Sequence, residues 1–146
     1  MPFAMIRSRV FQLLTLAVLA AVTGCTSSNS NSATTAPSPA TTTEQYSGTV
    51  AQAGTTGFPF TVTSEGEVTI ALTDIQPLTT MALGVGVSSW DGSTCGLSIT
   101  KNDNARMGTN ALGGIATPGN YCATVYDSGN VPTDWTVSFT VQVVHP

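Results

Sequence analysis

The sequence predicts an all-β fold, an antiparallel β-sandwich of about seven to nine strands over residues 45–146. Apolar and polar residues alternate there in short runs, and a period of two is typical of strands with one buried face. Turn-forming segments such as Asp91-Gly92 separate the runs, and no stretch keeps a helical period for three turns. These observations favour an antiparallel sandwich over alternating strands and helices.

The composition fits one exported domain better than a nucleic-acid-binding protein. The chain has 146 residues, of which 8% are charged, and its formal net charge is −4. An ordinary soluble domain has about 25% charged residues. Phosphate binding needs clustered Lys and Arg, and the chain has four such residues in all. We therefore expect no nucleic-acid partner.

Residues 1–24 have the pattern of a secretory signal peptide. Arg7 and Arg9 precede the uncharged, apolar run 10–22, and small residues follow it. The run is too short for a transmembrane helix, which needs about 20 apolar residues. The arginine flank and the polar tract that follows argue against a buried core helix. Met1 and Met5 are both possible starts, because either keeps the two arginines.

The end of this segment, Val22-Thr23-Gly24-Cys25, resembles the lipobox of bacterial lipoproteins. The resemblance implies cleavage between Gly24 and Cys25 and a diacylglyceryl group on the Cys25 thiol. Each buried CH₂ of such a chain contributes about 0.8 kcal/mol, so several acyl chains anchor firmly. Thr26 is compatible with the outer membrane in a Gram-negative cell. Otherwise we expect the outer face of the cell membrane.

Residues 25–44 are predicted to be a flexible linker behind the lipidated cysteine. Residues 26–43 contain no charged, aromatic or large aliphatic side chain, so they cannot bury enough surface to offset their ordering entropy. As a random coil this tract would reach about 25 Å. A Ser/Thr/Pro-rich stalk of this kind also permits O-glycosylation.

The strand pattern predicts the core and its irregular positions. Residues 102–109 read as a loop, Gly113-Gly114 as a bulge or bend, and Pro59 places its strand at a sheet edge. The alternating runs are 58–63, 68–73, 83–88, 120–125 and 135–143. The predicted core residues are Phe58, Phe60, Val68, Ile70, Leu72, Leu83, Val85, Tyr121, Val125, Val137, Phe139 and Val141.

The three cysteines predict one disulfide. If Cys25 carries lipid, Cys95 and Cys122 remain, and the compartment beyond the inner membrane permits a bond between them. Two free buried thiols or a metal pair are the alternatives. A metal site needs further ligands, and the one histidine of the chain, His145, is the penultimate residue.

Three segments together resemble the bacterial pre-peptidase C-terminal domains. They are the strand 121–127 behind Pro118-Gly119, the strand 58–62, and the Gly-led strand 66–72. The resemblance covers most of residues 46–144 and implies a jelly-roll-like sandwich. Members of that family accompany a catalytic domain, which this sequence does not recognisably contain. Some bind calcium through acidic loops, and here the oxygen-bearing candidates are Asp91, Asn102, Asp103 and Asn104.

Catalysis is not expected. His145 lies at a chain end, where termini are usually loose, and the aspartates fall in turns or loops that favour Asp anyway.

Trp90, Tyr126 and Trp135 would stack on sugar rings if they faced solvent together. Alternatively, Trp135 begins the core face of the last strand and Trp90 covers one end of the sandwich.

The sequence thus predicts a lipid-anchored, non-enzymatic envelope protein without a cofactor, whose sandwich makes binding or structural contacts. Its expected partners are the membrane, through the lipid, and an envelope protein or glycan. A carbohydrate-binding module using exposed aromatics is one alternative. A small envelope enzyme accessory or inhibitor is another.

Overall fold

The computed structural model describes residues 37–146, and within them the chain forms eight β-strands and no helix. This part therefore contains no helix that is long and apolar enough to cross a membrane. The predicted signal segment with Gly24 and Cys25, and residues 25–36 of the predicted linker, lie outside the described residues. The strands are β1 (Thr42–Ala51), β2 (Thr55–Val62), β3 (Gly66–Gln76), β4 (Leu83–Trp90), β5 (Cys95–Ala105), β6 (Asn110–Ala116), β7 (Gly119–Tyr126) and β8 (Thr136–His145).

Within residues 37–146 the strands form two four-stranded antiparallel sheets. Sheet I has the order β1-β8-β3-β6, and sheet II has the order β2-β7-β4-β5. Every connection passes from one sheet to the other except the β4–β5 hairpin. This is the strand arrangement of an eight-stranded jelly roll. The predicted all-β antiparallel sandwich is confirmed.

The core lies between the sheets because the inward positions of each strand are apolar. Along β3, Val68, Ile70 and Leu72 are buried, and in β8 Val141 and Val143 are fully buried. All but two of the predicted core residues are buried. The exceptions, Phe58 and Tyr121, are half-buried and pack against the core. The core also includes Val50, Val62, Ile75, Met81, Ala105, Ala111, Ala123, Val131 and Val143.

Three sequence interpretations need correction at strand boundaries. β1 begins at Thr42, within the predicted linker, because its backbone pairs with β8 although its first side chains are exposed and polar. β5 continues through residues 102–105, predicted as loop, because an edge strand can present polar side chains to solvent. The predicted bulge at Gly113-Gly114 lies instead near Ala111, where the β3–β6 register shifts.

Two further predictions concern the strand of Pro59 and the C-terminus, and the structure confirms the first and contradicts the second. β2 is an edge strand, as Pro59 predicts. The C-terminus is not loose, because His145 lies in β8, is 4% exposed, and places Nε2 3.3 Å from Oε1 of Glu44. The carbonyl of Pro146 accepts a hydrogen bond from the N–H of Thr63 at 3.0 Å. The terminal residues are therefore part of the packed sandwich.

Candidate functional site

The two sides of the sandwich are closed to different degrees. On one side, where β1 and β2 run next to each other, Tyr46 stacks on Phe58 with ring centroids 5.0 Å apart. Its hydroxyl donates to the carbonyl of Pro59 at 3.0 Å. The hydroxyl of Thr56 donates to the carbonyl of Thr49 at 2.6 Å. Side chains therefore seal this side.

On the other side, β5 and β6 leave part of the interior open. Asn102 Nδ2 donates to the carbonyl of Ala111 at 2.8 Å and joins the two strands at one point. Along the same strands lies a concavity of about 240 Å³, which we call the edge groove. Its walls are largely apolar and include Phe60, Val68, Ile70, Val87, Ile99, Leu112, Gly114 and Ile115.

Gly114 keeps the edge groove open. It pairs with Val68, a core residue of β3, so a side chain at 114 would point inward. A Cβ built there meets no atom within 4 Å, and the backbone of Gly114 is not in the left-handed region that favours glycine. Glycine inside a strand costs about 0.5–1 kcal/mol relative to alanine. The fold therefore bears a cost at this position without a conformational need for glycine.

The rim of the edge groove is apolar and uncharged. Ile99 on β5 is 61% exposed, Ile115 on β6 is 73% exposed, and nearby Leu97 is 88% exposed. β6 contains neither a charged residue nor proline, which are the usual protections of an edge strand. Exposed apolar residues that cluster beside a hollow typically mark an interaction site.

The lining of the groove suits contact rather than proton transfer. Tyr121 is the titratable side chain among the described lining residues, and its hydroxyl donates to the carbonyl of Thr117 at 2.9 Å. Thr100 and Thr117 add hydroxyl groups at the margin. The arrangement can hold an apolar group by burial, with a few polar atoms at the edge to orient it.

The predicted disulfide between Cys95 and Cys122 is confirmed. Their Cα atoms are 5.6 Å apart, and the bond joins the start of β5 to β7. A Cβ on Gly57 would overlap Sγ of Cys95, so glycine at 57 leaves room for the bridge over β2. The bond therefore holds the start of β5 against the outer face of sheet II.

The four predicted calcium ligands are not gathered around one point. Asp91 lies in the turn before β5, whereas Asn102, Asp103 and Asn104 lie near the other end of that strand, about 20 Å of extended chain away. Asn102 Oδ1 already accepts the N–H of Asn104 at 2.9 Å. No group of three or more Cys, His, Asp or Glu side chains suited to a metal occurs among residues 37–146.

The three predicted aromatic residues do not form one platform. Tyr126 pairs with Gly84 at the start of β4, and Trp90 ends that strand, about 20 Å away. A Cβ on Gly84 would overlap the Tyr126 ring, so that ring covers the glycine. Trp135 precedes β8 and is 41% exposed. Trp90 is half-buried and lines a second concavity, described below.

Tyr126 is engaged in a hydrogen bond across sheet II. Its hydroxyl donates to the carboxylate of Asp103 on β5. Partial burial and this hydrogen bond raise the pKa of Tyr126 to about 12. The hydrogen bond from Tyr126 and, to a smaller extent, the one from Lys101 hold the pKa of Asp103 below its usual value. The pair links β7 to β5 across β4.

Asp127 connects the end of β7 to the β1–β2 turn. Its Oδ2 accepts the N–H of Ala53 at 2.9 Å, and Oδ1 accepts those of Gly129, Asn130 and Val131 at 2.8, 2.9 and 3.0 Å. Desolvation raises the pKa of Asp127, but the four backbone donors together outweigh it and hold the pKa below its usual value. This carboxylate serves the fold.

No protein-family model matches the chain, and no curated protein matches it. The resemblances to bacterial lipoproteins and to pre-peptidase C-terminal domains therefore stay predictions. The edge groove itself was not predicted from the sequence. The signal that points to it is the pair Gly113-Gly114 inside an otherwise apolar strand, which reads equally well as a bend.

Proposed function

We propose that this chain is an exported bacterial lipoprotein, anchored through a lipid on Cys25, whose sandwich is a non-catalytic binding module of the cell envelope. The partner is an apolar segment of another envelope protein, and the edge groove receives it. In a Gram-negative cell the anchor would lie in the outer membrane, and otherwise on the outer face of the cell membrane. The resemblance to pre-peptidase C-terminal domains supports an accessory role of this kind.

The observation that carries the proposal is the open space in front of Gly114. A Cβ at this position would meet no atom within 4 Å, so the space in front of Gly114 could take a side chain that the sequence does not supply. Retaining glycine there gives up stability, and natural proteins commonly give up stability where a binding site needs room. A hollow that costs stability is better explained by an occupant than by the fold.

The size and chemistry of the groove indicate what the occupant is. Its volume of about 240 Å³ lies below the range of about 300–1,000 Å³ typical of sites for drug-sized ligands. Such a volume suits one or two apolar side chains. The unpaired edges of β5 and β6 next to it suit an extended backbone, because exposed strand edges add further strands readily.

A matched pair of variants tests the groove. Gly114→Val places a side chain in the groove from the inner face of β6. Gly113 also borders the groove, but Gly113→Val adds the same side chain to the outer face, where a Cβ makes ordinary contact with Thr69 at 3.8 Å. Both should raise the free energy of unfolding by about 0.5–1 kcal/mol, since glycine is replaced within a strand. Urea unfolding of the full chain measures this change.

A photocrosslinking residue at Ile99, on the opposite wall, reports occupancy in cells of the native host. We expect one discrete crosslinked partner, present with Gly113→Val and lost with Gly114→Val. Crosslinking that persists at full yield in folded Gly114→Val would contradict the proposal. So would a Gly114→Val variant that is strongly destabilised, because the groove would then not be open.

The anchor needs a separate test. Cells fed an alkyne-labelled fatty acid should label the wild-type chain and leave Cys25→Ala unlabelled, with the latter released from the membrane fraction. Cys95→Ala serves as the control, because that thiol belongs to the disulfide. Equal labelling of wild type and Cys25→Ala would contradict lipidation at this residue.

A further inference from the structure

A second concavity lies on the outer face of sheet II and shares one bordering residue, Phe60, with the edge groove. We call it the turn cleft. It has a volume of about 410 Å³ and is walled by β2, by Asn120 near the start of β7, and by the end of β4 with the turn that follows it. The residues that give it its chemistry are Thr61, Trp90, Asp91 and Asn120.

These residue types are those that recognise a sugar. The indole of Trp90 is half-buried and offers a rigid apolar surface, on which the C–H face of a pyranose can stack. Thr61 and Asn120 are paired across β2 and β7, and the Thr61 hydroxyl lies 3.0 Å from Oδ1 of Asn120. With Thr61 donating to that oxygen, the two N–H groups of the amide remain as donors.

Asp91 adds a fixed negative charge to the same cleft. Its Oδ1 accepts the N–H groups of Ser93 and Thr94 at 2.8 and 2.7 Å and the Ser93 hydroxyl at 2.9 Å. Its Oδ2 accepts the Thr94 hydroxyl at 2.8 Å. The backbone N–H of Thr94 contributes most and that of Ser93 next, and these donors hold the pKa of Asp91 well below its usual value. Oδ2 keeps capacity for a further hydroxyl donor, whereas an anionic ligand would be repelled.

The wall that carries Trp90 and Asp91 is held in place covalently. The Cys95–Cys122 disulfide joins the residue that begins β5 to β7, two positions beyond Asn120. Gly57 on β2 leaves room for the sulfur atoms. A site held rigid before binding loses less conformational entropy when its ligand arrives.

We propose that the turn cleft binds a neutral hexopyranose unit of a glycan. Trp90 stacks on the ring, the Asn120 amide donates to ring or hydroxyl oxygens, and Asp91 accepts from a sugar hydroxyl. This site goes beyond the proposed protein-binding groove and does not depend on it, because the indole, amide and carboxylate that would bind the sugar do not line the groove, although Phe60 borders both.

The test uses the full chain and a panel of gluco-, manno- and N-acetylglucosamine oligosaccharides, with uronic-acid oligosaccharides as the acidic counterparts. The chain has two tryptophans, so in Trp135→Phe the fluorescence reports Trp90 alone. We expect at least one neutral oligosaccharide to change that fluorescence saturably at millimolar concentration. Trp90→Ala should weaken binding, measured by calorimetry, by about tenfold or more.

Matched variants separate the cleft from general effects on folding. Asn120→Ala, at an exposed position, should weaken binding about tenfold, which corresponds to one lost hydrogen bond of ordinary strength. Trp135→Ala and Gly114→Val should leave saccharide binding unchanged. The inference is overturned if no neutral oligosaccharide binds, if acidic ones bind better, or if Trp90→Ala and Asn120→Ala both bind as wild type does. None of these outcomes bears on the edge groove.

Discussion

Breaking the Cys95–Cys122 disulfide should lower the free energy of unfolding by about 3.5 kcal/mol at 25 °C. The two cysteines are 27 residues apart, and the chain-entropy relation for a loop of that length gives about 3.5 kcal/mol. The bond acts on the unfolded chain, because it restricts the conformations available to residues between β5 and β7. Replacing Cys122, which is fully buried, would add about 1 kcal/mol for the lost packing.

Urea unfolding measured with and without reductant separates the two contributions. Reduced wild-type protein keeps both sulfur atoms and loses only the cross-link, so it should show the loss of about 3.5 kcal/mol. The Cys95→Ala/Cys122→Ala variant should be less stable by a further 1 kcal/mol or so and should not respond to reductant. A loss below about 1 kcal/mol on reduction would refute the entropic reasoning. So would an equal response of the double variant.

Four further variants test the core and the two polar links. Leu72→Ala should cost about 2–5 kcal/mol of unfolding free energy in urea, whereas exposed Thr73→Ala should cost under about 0.5 kcal/mol; equal losses would contradict the assigned strand faces. Asp127→Asn should reduce stability at neutral pH. Because the folded-state pKa of Asp127 is lowered, its carboxylate stabilises the fold above the unfolded pKa, and this stabilisation is lost as pH falls through the folded pKa. In the variant, the free energy of unfolding should therefore fall less steeply with decreasing pH. An unchanged dependence on pH would contradict the role of Asp127. Absorbance titration should show a tyrosine ionisation near pH 12, and Tyr126→Phe should remove that ionisation. The stability linked to the raised pKa of Tyr126 should be lost as pH rises above the unfolded value of about 10.

The strands that the sequence predicts best are those with one strictly apolar face. β8 alternates over most of its length, and its apolar positions Val137, Phe139 and Val141 are all buried. β1 gives almost no such signal, because its early residues are exposed and polar and its place is fixed by backbone pairing with β8. Edge strands such as β5 face solvent on more than one side, so their side chains need not alternate.

The candidate sites depend on tertiary arrangement that periodicity does not contain. Gly114 faces the interior because of its register with Val68, and the same glycine on the outer face would leave no groove. Trp90 and Asn120 are 30 positions apart in the chain and meet because β4 and β7 are neighbours in sheet II. The cysteine pairing was predictable because few thiols were available, whereas its effect on the turn cleft depends on where β5 begins.

The disulfide links the proposed export of this protein to the proposed saccharide site. Thiols stay reduced in the cytosol, so a chain that has not been exported would lack the bond that holds the β4–β5 turn against β7. The turn cleft would then be loosely formed, because Trp90 and Asp91 lie just before the released residue Cys95. The edge groove depends less on the bond, since its walls at Gly114 and Val68 are held by the pairing of β3 with β6, and only its wall at Ile99 and Thr100 belongs to β5. Reduction should therefore weaken saccharide binding more than partner binding, and this asymmetry would assign each activity to its own face of the sandwich.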